Sequence, residues 1–189
     1  MSLKAVQEVL ARLYVDSELR RQFFDNPTEI GQKLGLTAAE TQQLRELRSP
    51  QIDFFARSLH RKRLNAVRGL LPFSPKLLDS HFSPIFSQYA EIYTPNGIKK
   101  HQDDAVMFCN FLASENHLDP PWIGDIANYE KGWLLTAKPD FRWHSCHFRY
   151  DITPFVQSGS QDLQKKSAIA IWVRFSPTAK TRYFYLPWF

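Results

Sequence analysis

The chain is poor in cysteine, with only Cys109 and Cys146 among its 189 residues. Small secreted domains that depend on disulfides carry at least about four cysteines, so this class is excluded. The first residues also lack the basic segment, apolar segment and small-residue cleavage site of a secretory signal peptide. Both absences predict a protein of the reducing cytoplasm.

Long apolar runs are absent as well. No stretch approaches the roughly 20 residues that a transmembrane helix needs, so we expect no membrane partner. Glycine-rich phosphate loops, Gly-x-Ser-x-Gly elbows and His-Glu-x-x-His helices are missing too. These absences favour a non-catalytic protein, and we predict no cofactor, no bound metal and no catalytic residue.

Aromatic residues, by contrast, are plentiful. The chain contains 15 Phe, 7 Tyr and 5 Trp, and 43% of its residues are hydrophobic. A disordered tail lacks such a composition, because it buries too little apolar surface to offset its conformational entropy. The length suits one large domain or two small ones.

The net charge of +5 is unevenly distributed along the chain. Residues 51–80 hold six basic and two acidic side chains, whereas residues 81–137 hold three basic and seven acidic ones. Residues 138–189 are basic again, with eight against three. Two basic segments flanking an acidic one suit an anionic partner on one face, or pairing between the segments.

Residues 1–137 have the periodicity of a series of helices, because apolar side chains recur three and four positions apart. Asp16 or Ser17 caps a short helix, and Gly35 fits the left-handed residue that ends a helix. The longest predicted helix extends from Pro50 to about Leu71. Further features are a capping box at Thr37–Glu40, helices at 83–93, 100–115 and 121–135, and a turn at 94–97.

After residue 137 the pattern changes to that of strands. Ile169, Ile171 and Val173 alternate with other residues at the two-residue period of a β-strand. The sequence predicts an α+β fold in which a helical region is followed by a small antiparallel sheet with a C-terminal hairpin. The predicted boundaries are 1–137 for the helical domain, with a subdomain at 1–48 and a module at 49–137, and 138–189 for the sheet.

One charged side chain is predicted to point inward. Arg63 lies in the middle of the apolar stripe of the long helix, and a buried guanidinium requires a carboxylate partner. Asp125 and Glu130, on a later helix, are the candidates for this structural ion pair. The alternative is that one of these carboxylates has a perturbed pKa and acts in a pocket.

Several motifs of the helical region resemble a known family. They are Arg63–Leu78, Phe82–Tyr89 and Pro121–Glu130, and the opening helices are similar to the small domain that precedes this module in some members. The resemblance covers roughly residues 3–137. It is to a family described as DNA-binding domains, whose members accompany multinuclear non-haem iron enzymes that modify ribosomal peptides. The resemblance implies a partner protein of such an enzyme or of its precursor peptide.

The exposed side of the long helix is a candidate for binding nucleic acid or another anion. Arg57, Arg61 and Arg68 fall together on the helical wheel, and arginine contacts to phosphates supply most non-specific affinity for nucleic acid. The alternative is a solvated helix face with some pairing to acidic neighbours.

The C-terminal sheet is the candidate surface for a peptide or protein partner. Aromatic side chains anchor partners well, although they are equally suited to a core between sheet and helices. An exposed sheet edge also accepts an extended peptide as an additional strand. The candidate residues are Arg149, Trp172, Arg174, Arg182, Tyr183 and Tyr185.

A cluster at residues 144–147 has the composition of a metal site. On a strand, however, His144 and Cys146 share one face while His147 points to the other, and zinc sites need three or four ligands. We predict sheet side chains here, and keep a metal-dependent enzyme as an open alternative. The leading hypothesis is a non-catalytic adaptor that binds a peptide or enzyme, and a DNA-binding regulator is the next.

Overall fold

The computed structural model describes residues 3–47, 49–95, 100–176 and 178–188. Over these ranges the protein is α+β, with helices followed by a three-stranded antiparallel sheet, so the predicted fold class is confirmed. The second half of the predicted turn at 94–97, residues 96 and 97, lies outside the described residues. None of the described helices is both long and apolar enough to cross a membrane.

Nine α-helices precede the sheet in the described part of the chain, and a tenth connects its first two strands. The helices are α1 (Leu3–Val15), α2 (Ser17–Asp25), α3 (Pro27–Lys33), α4 (Ala38–Glu46), α5 (Ser49–Leu70), α6 (Ser74–Leu78), α7 (Phe82–Ile92), α8 (Lys100–Ser114), α9 (Ile123–Thr136) and α10 (Thr153–Ser158). The strands are β1 (Trp143–Phe148), β2 (Ala168–Val173) and β3 (Arg182–Pro187).

The chain forms two compact units. The first comprises Met1–Leu64 and Ala90–Thr94, and the second comprises Asn65–Tyr89 and Pro95–Phe189. This division differs from the predicted boundary at residue 137. The reason is that the sheet shares its core with α9 and therefore belongs to the same unit as that helix.

Local capping defines the helices of the first unit. The Asp16 carboxylate accepts a hydrogen bond from the Leu19 amide at 2.8 Å, which identifies Asp16 as the cap of α2. The predicted capping box before α4 is confirmed, because the Thr37 hydroxyl and the Glu40 carboxylate each accept from the other's amide. Such caps satisfy backbone donors that a helix start leaves unpaired, and each stabilises by about 1 kcal/mol. The short helices are thus held together around a core of Val6, Val9, Leu13, Phe23, Leu36 and Leu44.

The core of the second unit is rich in aromatic rings. Phe82, Phe86 and Phe108 are fully buried and meet at centroid distances of 5.2 to 6.5 Å. The hydroxyl of the buried Tyr89 donates to the Asp104 carboxylate at 2.7 Å. A second aromatic cluster lies between α9 and the sheet and includes Trp172.

Candidate partner-binding surface

The register of the sheet assigns every strand residue to one of two faces. β2 lies in the middle, so that Trp143 of β1 and Arg182 of β3 both stand opposite Val173. Side chains alternate between faces along each strand. The inner face therefore contains His144, Cys146, Phe148, Ala168, Ala170, Trp172, Tyr183, Tyr185 and Pro187. The outer sheet face contains Trp143, Ser145, His147, Ile169, Ile171, Val173, Arg182, Phe184 and Leu186.

The predicted aromatic anchors belong to the inner face and form core. Trp172 is fully buried, and its ring lies 5.0 Å from that of Tyr183 and 6.1 Å from that of Tyr129 on α9. A Cβ added at Gly132 of α9 would approach the Trp172 ring to 2.5 Å. Helix and sheet are thus in contact where the glycine has no side chain; Trp172 is not accessible as an anchor, and Tyr183 is half-buried against it.

Tyr185 is the third predicted anchor on this face. It is half-buried, and its hydroxyl donates to the Asp151 carboxylate at 3.1 Å. Burial, followed by the nearby charge of Asp151, raises the pKa of Tyr185 to about 12. The phenol is therefore a neutral hydrogen-bond donor that ties β3 to the segment before α10.

The three predicted arginines differ in role. Arg174 donates to the carbonyl oxygens of Thr136 at 3.1 Å and Lys138 at 2.6 Å, and also to those of Pro139 and Phe141. Arg174 therefore satisfies carbonyl groups at the end of α9 and in the segment that follows it, which the helix leaves without partners. Arg149 is exposed and donates to the Pro121 carbonyl at 3.3 Å. Arg182 is exposed on the outer sheet face, with its guanidinium 5.7 Å from the Phe175 ring centroid.

The outer sheet face is apolar and exposed. Trp143 is 67% exposed, Leu186 is 53% exposed and Phe184 is 43% exposed, while Ile169 and Ile171 between them are half-buried. Soluble proteins rarely expose contiguous apolar patches, and those that exist commonly mark interaction sites. The sequence does not distinguish the two faces, because both faces of these strands are apolar, and the predicted anchors Trp172, Tyr183 and Tyr185 lie on the inner one. The signal that distinguishes them is the glycine on α9 that admits Trp172.

Both outer strands present unpaired backbone groups. Hydrogen-bonded and non-hydrogen-bonded pairs alternate in antiparallel strands. The Arg174 amide donates to the Arg142 carbonyl at 2.7 Å, which directs the amides of Trp143, Ser145 and His147 away from β2. Within the described ranges nothing pairs with these three amides. β1 is therefore an open sheet edge.

The opposite edge, on β3, is less able to pair. The Trp188 amide donates to the Ser167 carbonyl at 2.8 Å, so the outward backbone positions are those of Tyr183, Tyr185 and Pro187. Proline has no amide hydrogen, and its presence on an edge strand discourages pairing. The β1 edge is thus the better acceptor of a further strand.

The two predicted inward carboxylates are buried, but their partners differ from the prediction. Asp125, 3% exposed, accepts from the backbone amides of Arg149 and Tyr150, both at 2.9 Å. Burial raises the pKa of Asp125 and these amides oppose the shift. Glu130 accepts from the Phe73 amide at 2.7 Å and from the amide and hydroxyl of Ser74.

Neutral donors of the second unit thus satisfy both carboxylates. Neither carboxylate therefore needs the predicted ion pair with Arg63. Arg63 belongs to the first unit and is half-buried. Its guanidinium carbon lies 6.0 Å from the centroid of the Tyr93 ring.

The predicted basic face of α5 is exposed at all three positions. Arg68 donates to the Ser83 hydroxyl at 2.9 Å and lies over the Phe82 ring at 5.1 Å. Arg57 and Arg61 have neither hydrogen bonds nor ion pairs to the part of the chain that the structure describes. Their charges are therefore available to an anion, whereas that of Arg68 is partly engaged.

The cluster at residues 144–147 divides between faces as predicted. His144 lies inward with its ring 5.7 Å from that of Trp172, and His147 is exposed on the outer sheet face. Burial raises the pKa of Cys146 to about 12, so this thiol is protonated and unreactive. Among the described residues no three potential ligands converge on a metal position.

No protein-family model matches this chain, and no curated protein matches it either. The resemblance of residues 3–137 to the family of DNA-binding domains therefore stays a prediction.

Proposed function

We propose that the protein is a non-catalytic adaptor that binds an extended peptide segment on its C-terminal sheet. The observation that carries the proposal is the combination of an open β1 edge with an exposed apolar face on the same strand. A peptide added to this edge would pair with the outward groups of Trp143, Ser145 and His147, and its alternate side chains would extend the outer sheet face. Backbone pairing supplies affinity, and the apolar face supplies selectivity.

Charge favours an acidic peptide. Arg142, Arg149 and Arg182 are exposed at or beside the strands, and residues 138–189 carry eight basic against three acidic side chains. Charge complementarity accelerates association and selects between partners. The resemblance of residues 3–137 to the family of DNA-binding domains implies the class of partner. This partner is a cytoplasmic precursor peptide or the iron-dependent enzyme that modifies it.

Proline at position 145 tests this proposal. The Ser145 amide points away from β2, so Ser145→Pro removes an edge donor without removing a hydrogen bond of the sheet. We expect a peptide that is selected on the wild-type protein from a random display library to lose at least about tenfold in affinity for this variant, since the variant has one donor fewer and a blocked edge. Ser145→Ala, which keeps the amide, is the matched control and should bind as wild type does.

Circular dichroism verifies that both variants fold. The proposal fails when no acidic or apolar peptide is selected, or when the selected peptide binds Ser145→Pro as tightly as wild type. In the second case the peptide binds elsewhere on the protein.

A second candidate function, DNA binding, is favoured by the exposed and unengaged Arg57 and Arg61. Phosphate contacts release condensed counterions, so the affinity would fall steeply with salt concentration. Replacing Arg57, Arg61 and Arg68 by alanine would flatten the dependence of log affinity on log salt by about 0.9 for each phosphate that the variant no longer neutralises. Absence of duplex binding at low salt would dismiss this function.

A further inference from the structure

The second unit contains a pocket that neither the peptide nor the DNA proposal uses. Its volume is about 330 Å³, and its walls come from α9 and from the segment between α5 and α6. Small-molecule sites have volumes from roughly 300 Å³ upward. Leu70 and Trp133 at its walls are 38% and 39% exposed, so a ligand can reach it from solvent.

Three aromatic side chains line this pocket, namely Phe73, Tyr129 and Trp133. The rings of Phe73 and Tyr129 lie 6.0 Å apart and are inclined by 59°. Those of Tyr129 and Trp133 lie 6.4 Å apart and are inclined by 75°. Rings inclined in this way are not stacked flat, and aromatic side chains that line a pocket attract alkylated ammonium groups in proteins.

Glu130, also on the wall of the pocket, adds a negative charge. It is 2% exposed, and it accepts hydrogen bonds from the Phe73 amide and from the amide and hydroxyl of Ser74. All of these donors are neutral, and no cation contacts this carboxylate within the part of the chain that the structure describes. Burial raises the pKa of Glu130 to about 6, and these hydrogen bonds oppose the shift.

We propose that this pocket is a binding site for a small organic cation with an alkylated ammonium group. The negative faces of the three rings attract the charge, and their apolar surface accommodates the methyl groups. Glu130 supplies the countercharge in a setting of low dielectric constant, where it is weakly screened. An anion is disfavoured by Glu130, and a neutral apolar ligand supplies no countercharge to this carboxylate.

Two sources offer such a group: a free metabolite, or the side chain of a lysine in a partner. The experiment therefore titrates the full-length protein with three probes by isothermal titration calorimetry. The probes are choline, its neutral isostere 3,3-dimethylbutan-1-ol, and a short peptide with one trimethylated lysine. Choline and the isostere have the same shape and differ in charge.

We expect choline to bind at least about tenfold more tightly than the isostere at pH 7.5. If the peptide binds more tightly than choline, the site is supported and its ligand is a lysine side chain of a partner. Equal binding of choline and the isostere overturns the proposal, and so does the absence of binding by all three probes.

Two variants test whether the cation occupies this pocket. Glu130→Gln keeps the size of the side chain and an oxygen for the Phe73 and Ser74 amides, and it should weaken choline about tenfold while leaving the isostere unchanged. Trp133→Leu keeps an apolar wall without a ring and should also weaken choline.

Asp162→Asn removes one negative charge from an exposed position of the same unit outside the pocket and is the matched control. If it weakens choline as much as Glu130→Gln does, the effect reflects net charge and the proposed site is wrong. Ser145 does not line this pocket, so the choline titration tests the cation site independently of the peptide proposal.

Discussion

The two faces of the C-terminal sheet carry similar side chains and differ in what covers them. Trp172, on the inner face, is fully buried against α9, whereas Trp143, on the outer sheet face, is 67% exposed. Both belong to strands of alternating apolar residues. The comparison shows that aromatic content identifies the sheet but not its binding face, since the neighbouring helix decides which face becomes core.

The largest expected effect separates the two tryptophans. Trp172→Ala removes a fully buried ring and leaves a cavity between α9 and the sheet, so we expect a loss of about 3–5 kcal/mol in the free energy of unfolding. Trp143→Ala removes an exposed ring and should cost about 0.5 kcal/mol or less. Urea denaturation measures both. Similar losses for the two variants would contradict the assignment of faces.

The contact between α9 and the inner face is the next target. Gly132→Ala places a methyl group 2.5 Å from ring atoms of Trp172, and one or both elements must shift. Overpacking of this kind costs about 1–3 kcal/mol, which thermal unfolding monitored by near-ultraviolet circular dichroism should detect.

Gly69→Ala is the matched control. Gly69 also lies in a helix, α5, but nothing comes within 4 Å of an added Cβ. Alanine has the higher helix propensity, so this variant should be more stable by about 0.5–1 kcal/mol. A loss of stability in both variants would indicate that the helices themselves, and not the contact with Trp172, disfavour alanine.

The buried carboxyl of Glu130 makes the free energy of unfolding depend on pH. Burial raises its folded-state pKa from the ordinary 4.5 to about 6, so between these values the folded state binds more protons than the unfolded state. The stabilisation from protonation is complete below about pH 4.5 and is lost as the pH rises through about 6. A shift of this size corresponds to about 2 kcal/mol.

The comparison with Glu130→Gln isolates this contribution from other titrating groups. We expect the free energy of unfolding of wild type relative to the variant to fall by about 2 kcal/mol between pH 4.5 and 7. Urea denaturation across this pH range measures the difference. A constant or rising difference would show that the carboxyl of Glu130 titrates normally in the folded protein.

Local sequence signals predicted much of the fold. The capping box at Thr37–Glu40, the cap at Asp16 and the left-handed Gly35 depend on neighbouring residues, and all three are present in the structure. α6 and α10 were not predicted, since they span five and six residues and have too few turns to show a periodicity. The division into units depends on contacts between distant segments and was not visible either.

The candidate site was predicted less well, for a related reason. The alternation in β2 predicts a strand but does not state which face meets a helix. Arg174 was assigned to a partner because charged residues near a sheet suit an anionic peptide, yet it serves the carbonyl groups after α9. Asp125 and Glu130 were correctly placed inside, while backbone amides, which no sequence pattern displays, took the place of the predicted guanidinium.

The smallest expected change in stability lies on the outer sheet face. Phe184 is 43% exposed and stands opposite the half-buried Ile171. Phe184→Lys should alter the free energy of unfolding by about 0.5 kcal/mol or less, because the ammonium group stays in water while its methylene chain covers the strand. Binding of a selected peptide should nevertheless weaken, since the continuous apolar surface is interrupted.

Phe54→Lys provides the comparison in the first unit, where the ring is 66% exposed on α5. It should change neither stability nor peptide affinity. Loss of affinity in Phe184→Lys alone, with both proteins folded, would assign binding to the outer sheet face, because the two variants add the same charge. Equal affinity of the two variants would mean that the peptide does not contact the outer sheet face, and the distinction between the covered and the uncovered face would then have no bearing on function.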